Sequence, residues 1–301
     1  MQNDRMLTKT ALISSSPVVH DHRQNGVLAW ISKNTKFLWR IFAFPLLLFI
    51  ALPLLAIFLK IPIKDLFATL DKTQMLQAIN LSVVTSLATT LITLIFGTPV
   101  ALLLSQRKFR LYRLVDTLID LPTVLPPSVA GIALLMAFGR KGLFGAALTS
   151  MNIYIPFTFI AVIMAQTFIA SPLYIKAATI GFSAVDVELR QAAALDGANR
   201  WQILRYVILP MSWTSIMSGG VMTWARALGE FGATIIFAGN FPGRTQTMPL
   251  AIYIGFEINL NVALTLAIIM ICFSFFTLVV VKSLLHQRMD PTYLTTCEDT
   301  Y

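Results

Sequence analysis

Charge is what this chain of 301 residues has least of: Asp, Glu, Lys and Arg make up 12% of it, against 56% for the residues Ala, Val, Ile, Leu, Met, Phe, Trp, Tyr and Cys. A soluble domain carries about 25% charged residues, so an enzyme folded in water around an apolar core is excluded. Histidine is scarce: His20 and His22 lie near the start and His286 near the end. With no HExxH, no CxxC and no paired carboxylates at the depth of a cleft, neither a catalytic cluster nor a metal site is expected. The phosphate loop G-x-x-x-x-G-K-[ST] is missing too, so the chain is not expected to hydrolyse ATP by itself. Two cysteines, Cys272 and Cys297, cannot form a disulfide framework. Residues 1–40 hold no apolar stretch followed by a small-residue cleavage site, and no cleaved signal peptide is expected.

What the chain does have is apolar length. No Asp, Glu, Lys or Arg occurs in 41–59, 73–106, 121–139, 142–175, 206–225 or 258–281, each about the 20 residues that a membrane-spanning helix needs. A β-barrel would alternate over about ten residues instead, so the expectation is an all-α polytopic membrane protein. About six transmembrane helices are expected, near 41–59, 78–105, 118–138, 154–174, 211–238 and 262–281. They form one membrane domain, 41–285, between polar tails 1–40 and 286–301.

The net charge of +9 sorts by loop. With six helices after a cytoplasmic N-terminus, sixteen of the 23 Lys and Arg fall inside, among them Arg107, Lys108, Arg110, Arg113, Lys176, Arg190, Arg200 and Arg205. Six fall outside, Lys60, Lys64, Lys72, Arg140, Lys141 and Arg244, and Arg226 falls within a helix. The excess of basic residues on one side puts both termini in the cytoplasm. Basicity is thus a matter of topology, and no nucleic-acid partner is implied. In the N-terminal tail, 27–40 mixes Trp30, Phe37 and Trp39 with Lys33, Lys36 and Arg40, which suits either an interfacial helix or a disordered tail anchored by tryptophan.

The loop 175–210 is long and amphipathic. Within it, 184–198 sets Asp186, Glu188, Arg190 and Asp196 among apolar residues and ends at Gly197, as a surface helix does. Such a helix either docks a partner or connects two spans. The stretch Gln191-Ala192-Ala193-Ala194-Leu195-Asp196-Gly197-Ala198 with the trailing Leu209-Pro210 resembles the E-A-A-x-x-x-G loop of importer-type ABC permeases. By that resemblance, Gln191, Ala192, Ala193, Leu195, Asp196, Gly197 and Ala198 belong to a coupling loop, 185–201, that sits in a cleft of the ATPase subunit. Gln191 stands where the family has glutamate, which removes one charged contact.

A second resemblance runs from Ala225-Arg226-Ala227-Leu228-Gly229-Glu230-Phe231-Gly232-Ala233-Thr234 through Phe237-Ala238-Gly239-Asn240-Phe241-Pro242-Gly243-Arg244-Thr245-Gln246-Thr247-Met248-Pro249. With Leu121-Pro122-Thr123-Val124-Leu125-Pro126-Pro127 and Gly139-Arg140-Lys141-Gly142, it is similar to the molybdate branch of the molybdate, tungstate and sulfate permeases. The resemblance implies a type I importer permease fold, translocation of molybdate with tungstate as a second substrate, and assembly as two permease chains, two ATPase chains and one extracytoplasmic oxyanion-binding protein. It also implies a location in the bacterial inner membrane and no cofactor on this chain, ATP and magnesium residing on the ATPase. Sulfate or thiosulfate permease is the nearest rival; an ion-coupled secondary anion transporter would show matching halves, which are missing.

The residues give these segments roles of their own. Arg226 and Glu230 are four apart and can pair on one helix face, and charges inside a span are functional candidates by default. Either they lock the helix to a neighbour, or Arg226 lends positive potential to a cavity that passes a dianion while Glu230 prevents tight trapping. Gly219, Gly220, Gly229 and Gly232 allow close approach or bending, and Pro122, Pro126 and Pro127 free backbone groups. A pore-lining kink at Pro126 and Pro127 is expected, with packing as the alternative. Thr234 and Thr245 are candidate neutral donors to the anion. Asn240, Gly243, Arg244 and Thr245 are expected in an outer loop that meets the binding protein or merely connects.

Overall fold

The computed structural model describes residues 42–60, 73–106 and 110–286. The tail 1–40 with its stretch 27–40, residues 287–301, and the loop cations Lys64, Lys72, Arg107 and Lys108 lie outside these residues. Among the described residues every regular element is helical. Helix α1 (Phe42–Lys60) has the length and apolarity of a span, and up to Phe58 it belongs to a separate N-terminal unit.

The second unit begins with α2 (Thr73–Ser105), α3 (Tyr112–Val124), α4 (Pro127–Phe138), α5 (Gly145–Ser150) and α6 (Phe159–Ser183). It continues with α7 (Val187–Leu195), α8 (Arg200–Ile203), a π turn (Leu204–Ile208) and α9 (Leu209–Met211). It ends with α10 (Trp213–Leu228), α11 (Gly232–Phe237), α12 (Met248–Ile258) and α13 (Leu260–His286).

The core lies where α2, α6 and α10 pack together; at the Leu104 end it is an apolar cluster with Tyr174, Phe182 and Ile216, and along the rest of α2 it is built from small and hydroxyl-bearing residues. The buried stripe of α2 runs Ser82, Thr85, Ser86, Thr89, Thr93, Gly97 and Ala101, while Leu87, Leu91, Ile95 and Phe96 point outward. Lipid is as apolar as leucine, so large side chains gain nothing by turning inward, and small or hydroxyl-bearing ones let backbones approach. Gly97 shows this directly: a Cβ there would lie 2.9 Å from the Tyr174 ring of α6. Polar bonds stitch the same seam. Thr89 Oγ1 donates to Gln166 Oε1 at 3.1 Å, Trp224 Nε1 to Ser86 Oγ at 2.9 Å, and Thr223 Oγ1 to the Ala170 carbonyl at 3.3 Å. Interhelical bonds of this kind average about 0.6 kcal/mol in a bilayer, so they set register more than strength.

Several expected spans change shape. The 118–138 span is two helices, α3 and α4, bent by 117° at their junction. Leu125 and Pro126 are extended there (φ −65°, ψ 137° and φ −54°, ψ 132°), as residues before proline must be, and Pro127 opens α4 where its missing N–H costs nothing. The 154–174 span starts at Phe159, capped by Thr158 Oγ1, which accepts from Ala161 N at 3.3 Å, and runs to Ser183. It therefore absorbs nine residues of the expected loop.

The 211–238 span is not one helix: α10 stops at Leu228, and six residues of α11 follow from Gly232. Among the described residues four helices (α1, α2, α6, α13) are long and apolar enough to cross a membrane, and the bent pair α3–α4 counts as a fifth if taken as one span. The expected span 211–238, divided into α10 and α11, is not among them, so the described residues show four or five spans where about six were expected.

Candidate functional site

Glu230 falls in the break between α10 and α11, not on the helix that carries Arg226. The expectation of a shared helix face is corrected, but the expectation of a pair stands, because the two side chains meet at 2.7 Å, Arg226 Nη1 to Glu230 Oε2. The other carboxylate oxygen, Oε1, accepts from the Ala233 N–H at 2.9 Å and so caps α11. Two anchors hold one carboxylate that is 1% exposed, while the Arg226 side chain remains 36% exposed. The geometry seals the anion and presents the cation. Charge buried in this way is tolerated only because it is paired and hydrogen-bonded.

The two breaks touch. A Cβ on Gly232 would sit 2.7 Å from Pro127 Cβ, and one on Gly131 would sit 2.8 Å from the Ala233 carbonyl oxygen. The first turns of α4 and α11 therefore lie in van der Waals contact, and glycine is required on each side. Pro126 and Pro127 bring α4 to this contact, and Gly229, exposed at the end of α10, opens the other break. Pro126, Pro127, Arg226, Gly229, Glu230 and Gly232 thus fall in two adjoining helix breaks. Thr234 belongs to the same short helix, but its Oγ1 is buried without a partner among the described residues; it points inward, and an exposed donor it is not.

At the far end of α6 lies the expected surface helix. α7 is shorter than foreseen, Val187–Leu195, and ends in a complete glycine cap: Gly197 N bonds to the Ala194 carbonyl at 3.1 Å and Ala198 N to the Ala193 carbonyl at 3.0 Å. Gly197 has φ +85°, the left-handed conformation that this cap requires and side chains resist. Arg190 Nη2 donates to the Phe182 carbonyl and Val185 is buried, which fastens the helix to the bundle. Its outer face is bare: Gln191, Ala192, Asp196 and Gly197 are exposed, and Leu195 is 88% exposed. Asn199 and Gln202 then form a reciprocal capping box, and the π turn precedes Pro210, which lacks the N–H to continue an ordinary ladder.

The 240–247 loop is at the opposite end of the bundle from α7, but only part of it is surface. Residues 241–244, including Gly243 and Arg244, are exposed. Thr245 is fully buried, its Oγ1 accepting from Phe241 N at 3.1 Å, so its place in an exposed outer loop is corrected. Asn240 is half-buried, with Oδ1 unpartnered among the described residues. Ser82 Oγ accepts from Met248 N at 2.6 Å and ties the loop's end to α2.

One charged cluster was not foreseen. Lys176 of α6 lies 2.5 Å from Asp116 Oδ1 and 2.8 Å from Asp120 Oδ2, both on α3. Asp116 and Asp120 are four apart, a signal of a shared face, but the expected span began at 118 and left Asp116 outside the helix that holds Asp120.

A polytopic bundle, all-helical among the described residues, with a capped helix displayed bare at one end and two helix breaks in contact beside a charged pair, fits the membrane-embedded subunit of a transporter. The chain belongs to the family described as "Binding-protein-dependent transport system inner membrane component", whose family model matches residues 94–291; it is a multi-pass inner-membrane permease subunit. It is 38% identical over 225 residues, 75% of its own length and 85% of the other's, to the "Molybdenum transport system permease protein ModB" of Mycobacterium tuberculosis (strain ATCC 25618 / H37Rv). It is 34% identical over 245 residues, 81% and 93% of the two lengths, to the "Molybdate/tungstate transport system permease protein WtpB" of Thermococcus kodakarensis. In fold it is similar to a bacterial ABC transporter involved in alginate import, with a TM-score of 0.68 at 15% identity, over 86% of this chain and 99% of that one. The fold is that of an importer-type ABC permease, and the family works with a binding protein and an ATPase.

Proposed function

We propose that this chain is the permease subunit through which molybdate, and tungstate of the same shape and charge, crosses the inner membrane by alternating access. The observation that carries this reading is the contact between two helix breaks beside the Arg226–Glu230 pair, in a family whose members include permeases named for molybdate and tungstate. A gate needs elements that bend at defined points, and here the bends of α3–α4 and α10–α11 share one contact. A dianion path needs positive potential that still permits exit. Arg226, a third exposed but neutralised by Glu230, supplies attraction without a deep trap.

In this reading both termini and α7 face the cytoplasm, and α7 with residues 185–201 transmits closure of the ATPase dimer to the bundle through α6. Two copies of the chain enclose the path. The exposed loop residues Gly243 and Arg244, with Asn240 beside them, meet the oxyanion-binding protein on the outer side. ATP and magnesium are held by the ATPase, and this chain carries no cofactor. Purified from detergent-extracted membranes, the complex should contain two copies of this chain and two of the ATPase by native mass spectrometry, with hydrolysis stimulated by molybdate-loaded binding protein. A monomeric chain, or hydrolysis indifferent to the loaded binding protein, would overturn the assembly.

A further inference from the structure

We propose that Asp116 and Asp120 mask Lys176 as a latent oxyanion-holding site on the release side of the pathway, so that the transported dianion is not retained there. The inference rests on the permease reading above. Lys176 lies seven residues before the end of α6, and Asp116 and Asp120 lie four and eight residues into α3, so at about 1.5 Å per residue all three sit roughly 6–12 Å from the end of the bundle that bears α7. Their side chains are not sealed: Lys176 is 32% exposed, Asp116 29% and Asp120 45%. Half-exposed charges at that depth are stable facing water and costly facing lipid.

The pattern of α3 agrees. At 100° per residue, Thr123, Asp116, Asp120, Arg113 and Thr117 occupy an arc of about 120° whose one apolar member is Val124 at the helix end, while Leu114, Leu118 and Leu121 fall outside it. The last three are exposed in the subunit, as lipid-facing residues are. One side of α3 is therefore aqueous, and Lys176 points to that side from α6.

Arg226 has one carboxylate and the pair is neutral; Lys176 has two, so these three side chains together carry one net negative charge, with Arg113 exposed on the same arc three residues before Asp116. A tetrahedral dianion moving from Arg226 toward the α7 end meets first a compensated cation and then a repulsive site. Strip the carboxylates and the compact ammonium with its three donors becomes a strong local attractor, which holds the anion where it should leave. A cluster serving only to fasten α3 to α6 would behave differently, since losing the carboxylates would loosen the helices without creating affinity for anions.

The test is equilibrium retention of radiolabelled molybdate by the whole complex without binding protein, together with uptake in cells. Asp116→Asn combined with Asp120→Asn should raise retention at least about fivefold over the wild-type complex, with excess sulfate competing, and lower the uptake rate by a similar factor without raising KM. Adding Lys176→Met should return retention to the wild-type level. Should the double variant fail to assemble, Asp120→Asn alone, which keeps the Asp116 bond, carries the same expectation at a smaller factor. Variants that assemble and retain no more molybdate than wild type overturn the inference. A wild-type complex that takes up no molybdate overturns the permease reading instead.

Discussion

Arg226 and Glu230 are the residues on which function and stability pull apart. Arg226→Ala leaves a buried carboxylate with only its Ala233 contact, a loss on the order of 3–5 kcal/mol, so reduced assembly is expected beside reduced transport. Arg226→Lys keeps the charge and loses the planar fork; it should assemble normally while transport per assembled complex falls about tenfold, equivalent to about 1.4 kcal/mol. Equal losses in membrane abundance and in uptake would make the pair purely structural. The spacing of four made the pair legible in the sequence. The helix end between its members was not, because Gly229 and Gly232 fit a continuous span with close neighbours as well as a broken one, and only packing against Pro127 decides between them.

At the scale of elements, α7 and the contact between breaks each yield a test. Gly197 has open space around it, so a side chain there meets no neighbour, but its φ of +85° makes a β-branched residue costly, by about 1–2 kcal/mol. Gly197→Val should unwind the end of α7, leave membrane insertion intact and abolish stimulated ATP hydrolysis; unchanged hydrolysis and co-purification would remove α7 from the docking surface. Gly131→Val places a branched side chain against the Ala233 carbonyl. Overpacking of this kind costs about 1–3 kcal/mol, and it should separate α4 from α11, leaving ATP hydrolysis partly active without the loaded binding protein. Retained tight coupling in that variant would show that the contact does not gate.

These elements differed in how far the sequence revealed them. The cap at Gly197 was readable because a capped amphipathic helix has local rules. The 117° bend at Leu125 was readable only as a proline-induced kink, since its size depends on what α4 packs against. The expected run of α7 to residue 198 was too long because the glycine cap spans its last positions.

For the whole molecule, the long runs without Asp, Glu, Lys or Arg made a polytopic helical protein legible, and the sorting of Lys and Arg by loop, which presupposes six helices, supplied only an expected orientation. With Cys272 and Cys297 replaced by serine, single cysteines at Lys108 and Arg244 should be labelled from the cytoplasm and from outside respectively; the reverse pattern would invert the orientation. Hidden in the sequence was the core itself. Ser82, Thr85, Ser86 and Thr89 read as ordinary polar interruptions of an apolar run, and only the α2–α6–α10 contact turns them into the buried face, because a bilayer removes the hydrophobic periodicity that would mark such a face in water. Lys176 with Asp116 and Asp120 escaped notice because the expected span ends placed Lys176 and Asp116 in loops, apart from Asp120.

Substrate identity is the central claim, and it is most directly tested by radiolabelled molybdate uptake in cells lacking this chain and in cells with it restored, each challenged with excess tungstate or excess sulfate. Chain-dependent uptake abolished by tungstate and untouched by sulfate is the predicted result. Abolition by sulfate would assign the chain to sulfate transport, and uptake that does not depend on the chain would contradict the account.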